Sequence, residues 1–296
     1  MKLLNLLAGT SLLATAGAAS AFTFVTPEKS MYTMVAPGWS AKPLVTVGET
    51  LPNGYRPIGI MDGIGAYSLD SKTIRAFVVH EVGRTQGYAY TLDSGFSLTG
   101  ARTSFFDIDK TTMTVTNAGL AYKNVIDRAG NLVIGAGQLD GDAFARFCSA
   151  ALFEANSFGA GRGLADRLFF AGEETSNGTM FVLDPATNIL HAAPALGRGA
   201  WENAALVDTG RTDKVGLILM DDSSGYPLYL YVGNKSSDPA AGVLERNGLA
   251  DGKLYAWKSD AGDLDPTTFR GGNGDSRTGT WVELKNYDPA MAGMPG

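Results

Sequence analysis

The chain is short of thiol and imidazole. Its 296 residues include one cysteine, Cys148, and two histidines, His80 and His191. A single cysteine excludes an internal disulfide, so stability has to come from core area, bound cations or both. Two histidines are too few for a histidine-rich zinc or copper centre, which leaves oxygen atoms as the available metal ligands. Basic excess is missing as well. There are 24 Lys and Arg against 30 Asp and Glu, a net charge of −6, which argues against nucleic acid as a partner. No segment approaches ~18 uninterrupted apolar residues, so no membrane span is expected. The chain has no G-x-S-x-G elbow, Walker loop, H-E-x-x-H or strand-linked G-x-G-x-x-G. Serine hydrolase, kinase and dehydrogenase readings therefore fall away.

The residues that are present begin with an address. Lys2 precedes the largely apolar stretch 3–13, and Ala19-Ser20-Ala21 forms an A-x-A cleavage site, so residues 1–21 read as a signal peptide. Export to the periplasm or the extracellular space follows, and loss of Lys2 takes the charge to −7. Beyond it, short β-rich runs recur at 74–79, 112–116, 132–134, 168–170, 180–183, 215–220, 228–232 and 254–257. Turn sequences at 127–131, 184–188 and 221–225 separate several of them. This spacing predicts an all-β fold, and the chain length favours a β-propeller over a small sandwich. A D-x-x-T turn occurs twice, at Asp109 and Asp184, as a faint internal echo. One short helix is expected from Ser149 to Asn156. The expected organisation is a propeller domain over 22–258, then a Gly- and Asp-rich tail over 259–296 that leaves the last blade incomplete.

Four apolar runs adjoin carboxylates. Residues 74–79 lead into His80-Glu81, 168–171 into Gly172-Glu173-Glu174, and 215–220 into Asp221-Asp222, while Trp201-Glu202-Asn203 opens 204–207. Acids at the ends of buried strands lose hydration, and a hard cation compensates them economically. Consecutive acids on a strand point to opposite faces, so one member of each pair can face a site while the other bonds the neighbouring strand. His80 reads either as an acid/base partner of Glu81 or as a histidine bonded to backbone. Cys148 reads as a buried, inert thiol. Asp260, Asp263, Asp265 and Asp275 have a calcium-loop composition without the calcium-loop spacing.

The motif order resembles the PhoX-type alkaline phosphatase family of exported bacterial β-propellers. The resemblance rests on Met61-Asp62-Gly63-Ile64-Gly65-Ala66, Val79-His80-Glu81, Arg146-Phe147-Cys148-Ser149-Ala150, Gly172-Glu173-Glu174, Arg198-Gly199-Ala200-Trp201-Glu202-Asn203 and the stretch 216–233. It implies hydrolysis of small phosphate esters at a carboxylate-held cluster of iron and calcium on the propeller axis. Glu81, Glu173, Glu174, Glu202, Asp221 and Asp222 become the candidate ligands, and Arg198 and Arg146 the candidate phosphate contacts. No nucleophile or general acid is assigned. The family typically has cysteine before the Glu-Glu pair, where this chain has Gly172, and His-Glu where it has Trp201-Glu202. Calcium therefore fits the implied set better than iron. A non-catalytic calcium-stabilised propeller used for surface binding and a calcium-dependent lactonase remain as alternatives.

Overall fold

The computed structural model describes residues 22–33, 36–262 and 276–284. The expected leader at 1–21 and most of the tail at 259–296 lie outside these residues, as do Asp263, Asp265 and Asp275.

Strands dominate. In chain order they are β1 (Met61–Ser68), β2 (Thr73–His80), β3 (Tyr90–Thr91), β4 (Ser97–Leu98), β5 (Arg102–Asp109), β6 (Thr114–Leu120), β7 (Asn124–Ile126), β8 (Phe147–Phe153), β9 (Leu168–Asp184), β10 (Ile189–Ala192), β11 (Arg198–Val207), β12 (Lys214–Asp221), β13 (Tyr229–Asn234), β14 (Gly252–Ser259) and β15 (Gly279–Glu283). Helix among the described residues is limited to Val243–Arg246 and two short 3-10 turns.

A four-stranded antiparallel sheet runs β1-β2-β5-β6. A second sheet runs β15-β14-β13-β12-β11-β9-β10-β7, with β8 added against β9. The 17-residue β9 joins its two parts. The first half of β9 pairs with β8, its middle with β11 and its last residues with β10. Among the described residues these sheets do not close into a ring.

The first core lies between the two sheets. Phe77 of β2 packs on Phe169 of β9, with ring centroids 5.3 Å apart, and Val79, Phe147, Phe181 and Leu190 fill the same layer. A second layer gathers Phe170, Met180, Trp201, Leu217, Tyr231 and Leu254. Full burial of each large apolar side chain contributes about 1.5–3 kcal/mol, so these layers hold the sheets together without disulfides. The segment before β1 covers the outer face of the first sheet through Phe22, Phe24, Leu44 and Leu51, against Val78, Phe106 and Val115.

One sequence expectation is overturned. Residues 149–156 do not form a helix, because β8 occupies Phe147–Phe153 and pairs with β9. An eight-residue helix is marginal alone, whereas the strand gains a ladder and packs Leu152 against the inter-sheet core. The D-x-x-T echo has a common physical cause. Asp109 accepts from the N–H groups of Thr111 and Thr112, and Asp184 accepts from Ala186 N–H and the Thr187 hydroxyl. Each aspartate closes a tight turn, between β5 and β6 and between β9 and β10.

Candidate metal centre

Three irregularities in the ladders fall together. The β1–β2 register slips between Met61 and Ile64, the β8–β9 register between Phe147 and Ala150, and the β11–β12 register between Trp201 and Asn203. Asp62, Cys148 and Glu202 sit inside these three interruptions. Bulges re-aim side chains out of the regular pleat and concentrate beside functional sites. Two residues hold left-handed backbone nearby, Ile60 at φ 48° and Arg146 at φ 49°. The carbonyl of Ile60 accepts the N–H of Glu81, and that of Arg146 accepts the N–H of Glu174. For a β-branched residue such as Ile60 this conformation is costly, and it persists only where the surrounding structure enforces it.

These features bring five acids and a thiol to one place. Asp62, Glu81 and Cys148 each offer a ligand atom within 4.8 Å of the others, and so do Cys148, Glu174 and Glu202. Cys148 belongs to both groups, and its thiol donates to Asp62 Oδ2 at 3.5 Å. Asp222 is exposed at the rim and close enough to interact with Glu174. Close approach of the strands makes this convergence feasible. A Cβ at Gly63 would lie 2.2 Å from the backbone nitrogen of Ala150, so only glycine lets β1 reach β8.

Among the described residues, Arg146 is the cation that touches the cluster. Its Nη2 lies 2.6 Å from Glu81 and 2.7 Å from Glu174, and the side chain stays nearly half exposed. One guanidinium does not balance five carboxylates. Two unit charges 4.8 Å apart repel by roughly 3.5 kcal/mol in an effective dielectric of about 20, before solvent screening. The protonation equilibria record the strain. Burial raises Glu81 and Glu202, and neighbouring carboxylates add to the rise. Burial also pushes the Cys148 thiol up, with Glu202 and Glu174 adding to it. Burial works against Glu174 too, but hydrogen bonds from Arg146 and Cys148 hold its carboxylate below the usual range.

The other sequence candidates lie elsewhere. Glu173 points away from Glu174, is buried, and accepts the N–H groups of Ala145 and Thr179. Burial raises it to about 7. Asp221 accepts the N–H groups of Ala200 and Ser223, one on each oxygen. Arg198 is buried against Asp140 and the Asn177 carbonyl. The structure therefore does not join Glu173, Asp221 or Arg198 to the cluster. His80 also turns away, bonding the Ile58 carbonyl through Nδ1 and Ser104 through Nε2, with burial lowering it to about 4.

Two members escaped the reading of the sequence. Asp62 was visible only as part of a glycine-flanked motif. Cys148, expected to be inert, is half-buried and central because β8 forms where a helix was expected. Gly172 has a packing role, since a Cβ there would lie 2.5 Å from the Trp201 Cβ and 2.7 Å from its carbonyl oxygen. A cysteine side chain at that position has no room.

No family model and no curated protein matches the chain. Among solved structures it is similar to Pseudomonas fluorescens PhoX in complex with vanadate, a transition state analogue, with 15% identity and a TM-score of 0.48. The match covers 76% of this chain and 49% of that one, so the chain spans about half the length of that protein. At this distance the likeness carries no functional argument.

Proposed function

We propose that the chain is an exported, metal-dependent phosphoesterase whose cation site is the cluster of Asp62, Glu81, Cys148, Glu174, Glu202 and Asp222. The observation that carries this reading is the convergence of acids and a thiol from three bulged ladders, with one arginine among them. The ordered motifs of the sequence support the phosphatase class, and the stacked antiparallel sheets support part of a β-propeller.

The donor set fits hard cations. Carboxylate oxygens at mixed depth suit calcium, and the Cys148 sulfur adds a softer donor that suits iron. Cations held there supply charge neutralisation and Lewis acidity for the hydrolysis of a phosphate ester. The chain's own residues do the positioning. Arg146 ties Glu81 to Glu174 and presents a half-exposed guanidinium suited to a phosphate oxygen. Glu173 and Asp221 hold the backbone on which Glu174 and Asp222 stand.

Metal analysis of the purified protein, paired with a phosphomonoester assay before and after chelation, tests the proposal. Calcium, with or without iron, is expected in the protein, and turnover is expected to vanish on chelation. Glu174→Gln should lower metal affinity and turnover by roughly 100-fold, the upper range for disturbing a metal shell. Cys148→Ser should remove iron selectively. Unchanged metal content in both Glu174→Gln and Glu202→Gln would overturn the site. Calcium without turnover of any ester would favour the binding protein, and turnover of lactones alone would favour the lactonase.

A further inference from the structure

On the first sheet, the face opposite Phe77 and Val79 carries a second, differently built feature. His80 and Arg102 are paired across β2 and β5 and share that face with Ser104. Beside them opens a cleft of about 530 Å³, lined by Tyr55, Arg56, Tyr88, Tyr90, Thr91 and Arg102 among others, with no carboxylate in its lining. That volume lies in the range of small-molecule sites.

Arg102 is the unusual member. It is 1% exposed, and no carboxylate among the described residues pairs with it. Its Nη2 donates to the carbonyls of Tyr88 and Gly100, and its Nε to Gly100. Nη1 makes no hydrogen bond among the described residues, and Arg102 lines the cleft. The guanidinium stacks between two rings, 4.7 Å from the Tyr88 centroid and 4.3 Å from that of Tyr90. A buried charge without a counter-ion is costly, and backbone carbonyls with ring faces compensate it only in part.

The tyrosine hydroxyls are already committed. Tyr55 bonds Ser104, Tyr88 donates to the Arg56 carbonyl, and Tyr90 bonds Tyr122. The rings therefore present apolar surface to the cleft while Arg56 and Arg102 supply its charge. In a chain of net charge −6, a pocket of this sign is a local inversion.

We propose that this cleft binds a small organic anion in which an oxyanion is attached to a flat ring, the oxyanion pairing with Arg102 and the ring lying on Tyr88. Such a ligand supplies the missing counter-charge and covers apolar surface at the same time.

Isothermal titration calorimetry on the intact chain tests this with named probes, and its readout does not depend on ester turnover. Benzoate and phenylphosphonate, titrated into chelated protein, distinguish carboxylate from phosphoryl groups, and saturation by either one that Ala89→Glu weakens supports the site. Acetate and inorganic phosphate lack the ring, and benzyl alcohol lacks the charge; each should bind at least about tenfold more weakly, a difference of one 1.4 kcal/mol step. Arg102→Met should abolish binding, but that residue also anchors a loop. Ala89→Glu is therefore the cleaner variant, because Ala89 is exposed at the cleft and the change adds a carboxylate where anions would enter. It should weaken benzoate about tenfold or more without lowering the melting temperature. Two results would overturn the proposal: no saturable heat with benzoate or phenylphosphonate, or unchanged affinity in a folded Ala89→Glu protein.

Discussion

Glu173 and Glu174 are neighbours on β9, yet they belong to two opposite electrostatic designs. Glu173 sits with Asp140 among Arg84, Arg128 and Arg198, so cations outnumber acids on its side of the strand. Backbone N–H groups take both of its oxygens. Glu174 sits with Asp62, Glu81, Glu202 and Asp222 around Arg146, so acids outnumber cations. The first arrangement has its acids paired within the protein, with Arg198 Nη1 left buried and unbonded. The second is left in deficit, and strained backbone and bulged ladders surround it. Density of charge alone therefore does not mark a site. The useful mark is charge that the fold concentrates and does not neutralise.

Substitutions can break this contrast, beginning with the largest expected effect. Gly172→Cys restores a cysteine before the Glu-Glu pair but drives its side chain into Trp201. It should destabilise the protein by about 3 kcal/mol in urea unfolding, as overpacking does, without raising metal content. Glu173→Ala should cost about 2 kcal/mol, because two buried N–H groups lose their acceptor. In chelated protein, Glu202→Gln should act in the opposite direction and stabilise by roughly 0.5–1 kcal/mol, by relieving repulsion in a partly solvated cluster. A destabilised chelated Glu202→Gln protein would show that the cluster is neutralised internally and needs no cation.

The pH dependence sharpens the same contrast. Glu173 is raised from 4.5 to about 7, so the folded state binds more protons than the unfolded state between those values. Stability attributable to Glu173 falls as pH rises through that window. Relative to wild type, Glu173→Gln should remove that slope, and the difference cancels the opposing slope of His80, which is lowered to about 4. Glu81 and Glu202 are also raised and slope in the same direction as Glu173. Added calcium should abolish their share and leave that of Glu173 intact. Urea unfolding at pH 5 and pH 8, with and without calcium, measures both. A Glu173 share that also disappears with calcium would place that carboxylate in the cation site.

Much of the β architecture was legible because its causes are local. Apolar runs at 74–79, 168–170, 180–183 and 215–220 lie within strands, and the aspartate turns at 109 and 184 close by hydrogen bonds only a few residues long. The segment after Cys148 was misread because its strand pairing is non-local. Seen alone, Ser149 resembles a helix cap, and the ladder to β9 is invisible in sequence. Position at a run end points to Glu174 and Glu202 but equally to Glu173 and Asp221, and the family-like motif points to Arg198, which lies elsewhere. Nothing in one sequence says which carboxylates will meet backbone N–H groups and which will meet each other.

The sequence by itself determined the ligand chemistry available to this protein. With one thiol, two imidazoles and an excess of acids, oxygen is the main donor the chain can offer, and alternating side chains ensured that Glu173 and Glu174 would part. Only the tertiary structure decided which residues share a site. Gly63 lets β1 close on β8, bulges turn Asp62, Cys148 and Glu202 inward, and Trp201 occupies the space beside Gly172. Propensity and pattern act over a few residues, whereas a cation site depends on distances of a few ångströms between strands far apart in the chain.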